Sequence, residues 1–141
     1  MDPRQRIGYL AWQLRLATSH RAENLLTPLK LTLTQHSILL FLALEPDLSS
    51  AELARRAAVS RPSLSKALGE LEARDLVRRR PHPSHGRVAL LRLTPDGLRL
   101  AEDSQRRLDL IEAEAFAGLS EEERRQLCLL LSRVVERFAA R

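Results

Sequence analysis

The 141-residue chain has the size of one compact domain, and its 44% hydrophobic, 29% charged and 4% aromatic residues favour a mainly helical globular protein. Its formal net charge is +5 and all but two of its basic residues are arginines, which indicates a polyanionic partner. The single cysteine, Cys128, excludes an internal disulfide and a multi-cysteine zinc site, and the longest apolar run, residues 38–44, is too short to span a bilayer.

The first predicted helix covers residues 5–27 and has one broad apolar face, because apolar side chains recur at steps of three and four residues. Pro28 ends or kinks this helix. Tyr9 and Trp12 lie on it, and they are either core residues or the lining of a pocket for a small-molecule effector. A second helix, capped by Thr34, is apolar nearly all round, which predicts that it is buried.

Two short helices joined by a three-residue turn come next in the chain. Ser49 and Glu52 have the spacing of a capping box at the start of the first one. Ser60 caps the second one, residues 61–73, which tolerates Pro62 because the amides of a first helical turn have no intrahelical partner. This second helix has apolar residues on one side and a polar, basic N-terminal half, a pattern typical of a helix-turn-helix.

The remaining elements are a hairpin and two long helices. Residues 76–80 and 87–93 are predicted strands with basic side chains, separated by a segment rich in turn residues. The last two helices begin after the caps Thr94 and Ser120. Their apolar stripes, like that of the first helix, exceed what a small domain needs to cover itself, which predicts a C2 homodimer. Cys128 lies among leucines, so we expect a small buried hydrophobe rather than a redox switch.

The basic excess is confined to the middle of the chain. Residues 49–94 have a net charge of +6, against +1 for residues 1–48 and −2 for residues 95–141. A compositional bias toward arginine would act on the whole chain. The localisation therefore favours a binding surface over an incidentally arginine-rich exterior.

Several motifs follow one another in an order typical of one family. They are Leu33-Thr34, Glu52-Leu53-Ala54, Val59-Ser60-Arg61-Pro62-Ser63-Leu64-Ser65, Leu71-Glu72 with Leu76-Val77 and Arg79, Leu93-Thr94-Pro95 with Gly97, and Leu119-Ser120 with Glu122-Glu123. Over about residues 5–138 they resemble the MarR family of winged helix-turn-helix transcriptional regulators. The resemblance implies a mainly α fold with a small β-hairpin wing. In this single domain, 1–141, helices within 1–30 and 95–141 would dimerise and the lobe 31–94 would bind DNA.

The resemblance also implies a function. It is that of a cytoplasmic dimeric repressor that binds a pseudo-palindromic double-stranded operator and is released by a small-molecule effector, with no membrane partner. The helix over 61–73 would enter the major groove and the wing would reach the minor groove. The alternative for Arg61 and Lys66 is an ordinary exposed helix face. The DNA-binding candidates are Ser60, Arg61, Pro62, Ser63, Ser65, Lys66, His85 and Arg87.

One wing residue departs from the family pattern. The family has an Asp two residues before the wing-tip arginine, Arg87, and this chain has His85 there. A histidine brings pH sensitivity or a phosphate contact in place of the Asp that steadies the wing. The missing Asp keeps a second function open, a winged-helix protein-interaction module without operator binding. His82 and His85 are too few for a metal site, and no nucleophile-base pair or cofactor loop indicates an enzyme.

Overall fold

The computed structural model describes residues 2–139, and its element order is that of a winged helix-turn-helix between long helices. The mainly helical fold with a small hairpin is the one predicted, and the short strand β1 is an addition to it. The elements are α1 (Ile7–Leu26), α2 (Leu33–Leu44), β1 (Leu48–Ser49), α3 (Ser50–Ala57), α4 (Arg61–Ala73), β2 (Val77–Pro81), β3 (Ala89–Leu93), α5 (Pro95–Ala115) and α6 (Glu121–Ala139), with 3-10 turns at Pro3–Gln5 and Thr27–Leu29.

The hydrophobic core lies where α2, α3, α4 and the sheet meet. As predicted, α2 is central: Ile38 and Leu39 are fully buried. Burying a side chain of this size stabilises the fold by about 1.5–3 kcal/mol relative to leaving it exposed. The core packs α4 against the hairpin. Its other fully buried side chains include Leu53, Leu68, Leu71, Val77 and Leu91.

The cap of α2 differs from the prediction. Thr32, not Thr34, precedes the helix: its hydroxyl accepts a hydrogen bond from the Gln35 amide at 3.1 Å, and the Gln35 side chain accepts one from the Thr32 amide at 3.0 Å. A cap at Thr34 would place Ser37 three residues later, and a serine side chain is too short to close a capping box. The helix therefore begins where two unpaired amides are satisfied at once.

The helix-turn-helix forms as predicted. Ser49 and Glu52 make their reciprocal capping box at the start of α3. Ala58 ends α3 with a left-handed backbone, φ 52°. Ser60 then caps α4 by accepting a hydrogen bond from the Ser63 amide at 3.3 Å.

The sheet has three antiparallel strands in the order β1-β3-β2. Val77 lies opposite Leu93, and Leu48 of β1 lies opposite Leu91 on the other edge of β3. The hairpin joins α5 at Gly97, where an added Cβ would lie 2.0 Å from the Leu76 carbonyl oxygen. Only glycine permits this approach of helix and hairpin.

Two side chains for which the core was considered are exposed in the single chain: the prediction of burial was wrong for Cys128, and Trp12 does not take the core alternative. Trp12 is 54% exposed and packs on half-buried Tyr9 with a ring-centroid distance of 5.8 Å. Cys128 is exposed as well. The reason in α6 is that one chain supplies almost nothing to cover it: among its described side chains only Leu127 is half-buried.

No single helix within residues 2–139 has both the length and the apolar character needed to cross a membrane. Within the same described residues, only the pair Ile7–Leu29 and Leu33–Leu44, taken together across a 77° bend, meets that criterion of length and composition.

Candidate nucleic-acid interface

Half of the basic side chains in residues 49–94 are held by carboxylates. Asp47 pairs with both Arg80 and Arg92, and three more arginines have one partner each. A guanidinium that already pairs with a carboxylate has fewer free donors and less net charge to offer a phosphate. The other pairs are Arg56 with Glu45, Arg78 with Asp75 and Arg79 with Glu72.

The other basic side chains divide into two kinds. Arg74 donates to two backbone carbonyls, those of Lys30 at 2.7 Å and Leu29 at 3.2 Å. Four exposed side chains form no ion pair or hydrogen bond with any residue in the part of the chain that the structure describes. These four cations are Arg55, Arg61, Lys66 and Arg87.

The structure brings the α4 candidates together on one exposed surface at the start of the helix. Leu64, Ala67, Leu68 and Leu71 point into the core, which turns the polar positions outward. A groove of about 360 Å³ beside them is lined by Arg61 of α4 together with residues at the start of α3. The candidates exposed there are Ser60, Arg61, Pro62, Ser63, Ser65 and Lys66.

Arg55 is a cation that sequence reasoning missed. It lies on α3, exposed, while the neighbouring Arg56 is bound to Glu45. In the sequence, Arg55 and Arg56 are adjacent and nothing indicates which of them is paired with a carboxylate. Only the fold shows that Glu45, 11 residues earlier, reaches one of them.

The wing candidates, His85 and Arg87, lie exposed in the connection between β2 and β3. This connection is closed by its own hydrogen bonds. The His82 amide donates to the Val88 carbonyl and the Val88 amide donates to the His85 carbonyl, both at 2.9 Å. The Nδ1 atom of His82 accepts from the amides of Ser84, at 3.0 Å, and His85, at 3.1 Å. The wing is thus held without the Asp of the family pattern.

The base of the wing is held from outside it by Asp47, a second residue that sequence reasoning missed. Its backbone is left-handed, φ 68°, and its amide donates to the Leu91 carbonyl at 3.0 Å. Hydrogen bonds from Arg92, and next from Arg80, lower the pKa of Asp47 to about 2. Since these partners lie 33 and 45 residues away, no local motif reveals them.

A separate cleft of about 290 Å³ lies between α1, α2 and α5. Its lining is mostly apolar, and the polar residues among its described members are Thr18, Ser19 and Glu112. Tyr9 and Trp12 are not part of this lining. Among residues 2–139, no group of three His, Cys, Asp or Glu side chains is placed to hold a metal ion.

A family model described as MarR family matches residues 29–88. The HTH-type transcriptional repressor Rv2887 of Mycobacterium tuberculosis is 31% identical over 128 residues, which make up 91% of this chain and 92% of that relative. The chain belongs to the MarR family. The resemblance drawn from the motifs is confirmed, and the family is one of transcriptional regulators.

Solved MarR structures share this fold. A MarR-family regulator from Silicibacter pomeroyi, 23% identical, has a TM-score of 0.86 over 95% of this chain and 90% of its own. Rv2887 has been solved in complex with DNA. That structure is 29% identical to this chain and has a TM-score of 0.73, covering 92% of this chain and 97% of that one. Its complex with salicylic acid has a TM-score of 0.73 at 31% identity, covering 92% of this chain and 96% of that one.

Proposed function

We propose that this MarR-family regulator is a homodimeric repressor that binds a pseudo-palindromic DNA operator and is released by a small-molecule effector. The observation that carries the proposal is the position of the unpaired cations. Arg61 and Lys66 lie on α4, and Arg87 lies on the wing. These are the two elements with which a winged helix-turn-helix enters the DNA grooves.

The α4 residues differ in chemistry, so they are suited to different parts of the DNA. Arg61, at the first position of the helix, can donate two parallel hydrogen bonds to a guanine edge, and Lys66 suits a phosphate. Ser60, Ser63 and Ser65 offer hydroxyls, and the positive end of the helix dipole at this N-terminus favours an anion. Pro62 stiffens the same turn.

The wing residues act in the neighbouring minor groove. Arg87 places a planar cation where a narrow minor groove is most negative. His85 lies two residues before it and contacts the adjacent phosphate.

The uncovered apolar faces of α1 and α6 are proposed as the dimer interface. Ile7 is 80% exposed and Phe138 is 72% exposed, and both line an open groove of about 830 Å³ with Leu130 and Val134. Apolar patches of this extent on a monomer mark interaction sites. The segments 1–30 and 95–141 would thus dimerise, and the lobes 31–94 would bind half-sites about one helical turn apart.

The cleft between α1, α2 and α5 is proposed as the effector site, since an occupant there contacts both the dimer helices and the DNA-binding lobe. Glu112 is the one charged residue in the lining that the structure describes. An aromatic acid in this cleft would face that carboxylate without a compensating cation. We therefore expect an effector with a neutral or cationic head group, while Tyr9 and Trp12 would contribute only where the second copy packs over α1.

The test is binding of the purified protein to the DNA segment upstream of its own gene, at moderate salt, against a scrambled duplex. Retention of that segment alone supports the repressor. Equal binding to both duplexes, or none, favours a protein-interaction module instead. The proposal places the protein in the cytoplasm with the chromosome and assigns it neither catalytic activity nor a cofactor.

A further inference from the structure

We propose that His82 positions the wing tip for DNA binding and does so only while its imidazole is neutral. The inference rests on the proposed role of the wing in DNA binding. It assigns the pH-sensitive role to a histidine other than His85, the one that replaces the family's Asp.

The geometry of His82 requires a neutral ring. Its Nδ1 accepts hydrogen bonds from the amides of Ser84 and His85 at 3.0 and 3.1 Å, so this nitrogen carries no proton. In histidinium both ring nitrogens are donors. Protonation at Nδ1 therefore removes the acceptor of two amides at once.

These bonds shape the segment that presents Arg87. The imidazole holds Ser84 and His85, while the His85 carbonyl accepts from the Val88 amide at 2.9 Å. Arg87 lies between the two ends of this second bond. Losing the imidazole acceptor thus loosens the start of the turn that carries the wing-tip cation.

The charges around His82 do not compensate for its protonation. The His85 ring lies 4.8 Å away between centroids, and the nearest charged residues along the chain, Arg80 and Arg87, are basic. Residues 76–95 contain no Asp or Glu. The carboxylates that reach the hairpin from elsewhere are bound to arginines: Asp47 to Arg80 and Arg92, Glu72 to Arg79, and Asp75 to Arg78.

Asp47, which holds the base of the wing, does not change its charge in the pH range in which histidine does. The pKa of Asp47 is held at about 2 by Arg92 and Arg80, so this carboxylate stays ionised between pH 5 and 8. Histidine changes charge within that window. A change in wing order between pH 8 and pH 5.5 would therefore come from the tip.

The test compares His82→Asn with His82→Ala. The Asn Oδ1 lies the same number of bonds from Cα as the His Nδ1, so it can accept the same two amides without titrating. Amide protection factors of Ser84 and His85, measured by NMR on the free protein, report loop closure. Operator affinity measured on the same variants reports function.

We expect these amides to be protected at pH 8 and to lose protection at pH 5.5 in the unsubstituted protein. They should stay protected at both pH values in His82→Asn and be unprotected at both in His82→Ala. Because a groove contact depends on this loop, His82→Ala should weaken operator binding at pH 8 by about tenfold, and His82→Asn should restore it. The matched control is His85→Asn, which should keep the pH dependence of protection.

Two results would overturn the inference. One is a pH dependence that disappears in His85→Asn but persists in His82→Asn. The other is unchanged protection and affinity in His82→Ala while Arg87→Ala weakens binding, which would leave the proposed function standing. If neither Arg87→Ala nor His82→Ala changes affinity although protection depends on His82, the proposed role of the wing fails, and this inference with it.

Discussion

The carboxylate of Asp47 binds the guanidinium of Arg92 through two hydrogen bonds, although the residues are 45 positions apart in the chain. Arg80 donates to the same carboxylate at 2.8 Å, so one side chain holds both strands of the wing to the loop that follows α2. Because the pKa of Asp47 is depressed in the fold, this stabilisation is present above about pH 4 and is lost only as the pH falls toward 2.

Removing this carboxylate should change how strongly binding depends on salt. Asp47→Asn keeps a residue that tolerates the left-handed backbone but frees Arg80 and Arg92 for phosphates. We expect the slope of log affinity against log salt to steepen by about 1–2 and the preference for operator over random DNA to fall. Fluorescence anisotropy between about 50 and 200 mM salt measures both quantities.

The matched control for this variant is Asp96→Asn. It frees Arg99 at the start of α5, outside the winged helix. Its salt slope should equal that of the unsubstituted protein. Equal steepening in both variants would mean that only the net charge of the protein matters, and that the pairing of Asp47 with Arg80 and Arg92 has no specific effect on binding.

Unpaired and paired arginines should contribute differently to operator binding. Arg61→Ala and Arg87→Ala should each reduce affinity by about 1–3 kcal/mol, and Lys66→Ala should mainly reduce the salt slope by about 1. Arg78→Ala is the control, because Arg78 is exposed on the same hairpin and already bound to Asp75. A titration of labelled operator measures the affinity of all four variants. A loss of affinity in Arg78→Ala equal to that in Arg61→Ala or Arg87→Ala would contradict the interface proposed above.

Local patterns predicted the elements of this fold well because local bonds make them. The predicted span of α4, residues 61–73, matches the structure because Ser60, Pro62 and the apolar spacing all act within one helix. The cap at Thr32 was missed although its capping box is equally local. Two threonines competed, and only the reciprocal bond to Gln35 decides between them.

Pairings between distant residues were beyond sequence reasoning. The +6 charge of residues 49–94 was visible, but Asp47 and Glu45, which neutralise part of it, precede that segment. Burial at Cys128 was misjudged for a related reason. A leucine-rich stripe does not reveal whether its cover comes from the same chain or from a second copy.

The dimer interface should fail when charge is placed on the uncovered face of α6. Val134 is exposed in the single chain and lines the groove with Ile7 and Phe138. Val134→Glu should shift the protein from dimer to monomer. Operator binding should then weaken, because two separate monomers lose the advantage of two linked lobes that bind two half-sites together. Analytical ultracentrifugation measures the mass, and Leu44→Glu, exposed on α2 outside the segments proposed to dimerise, is the control that should stay dimeric.

The charge of Glu112 should select the effector. Among ligands of one shape, we expect benzylamine and benzyl alcohol to bind the cleft more tightly than benzoate, because benzoate would face the carboxylate. Glu112→Gln should lower the affinity for benzylamine and raise the affinity for benzoate, as measured by calorimetry. The Glu102→Gln control, exposed elsewhere on α5, should change neither affinity. Tighter benzoate binding to the unsubstituted protein would contradict the proposed ligand class.

A buried histidine should make stability depend on pH. The Nδ1 of His36 on α2 lies 3.0 Å from the hydroxyl of Ser104 on α5, and burial lowers its pKa below the ordinary 6.5. The unfolded chain therefore takes up the proton first, so this contribution is complete above about pH 6.5 and falls as the pH drops below it. The loss is at most about 1.4 kcal/mol for each pH unit.

Urea unfolding at pH 7.5 and 5.5 measures this dependence. His36→Asn retains a polar atom near Ser104 but does not titrate, so it should flatten the dependence even though it lowers stability overall. His20→Asn, on the exposed surface of α1, should leave the dependence unchanged. If the two variants lose stability equally with falling pH, the buried imidazole is not its source. Because His36 joins the proposed DNA-binding lobe to a proposed dimer helix, such a dependence would place a titratable group at the junction between them.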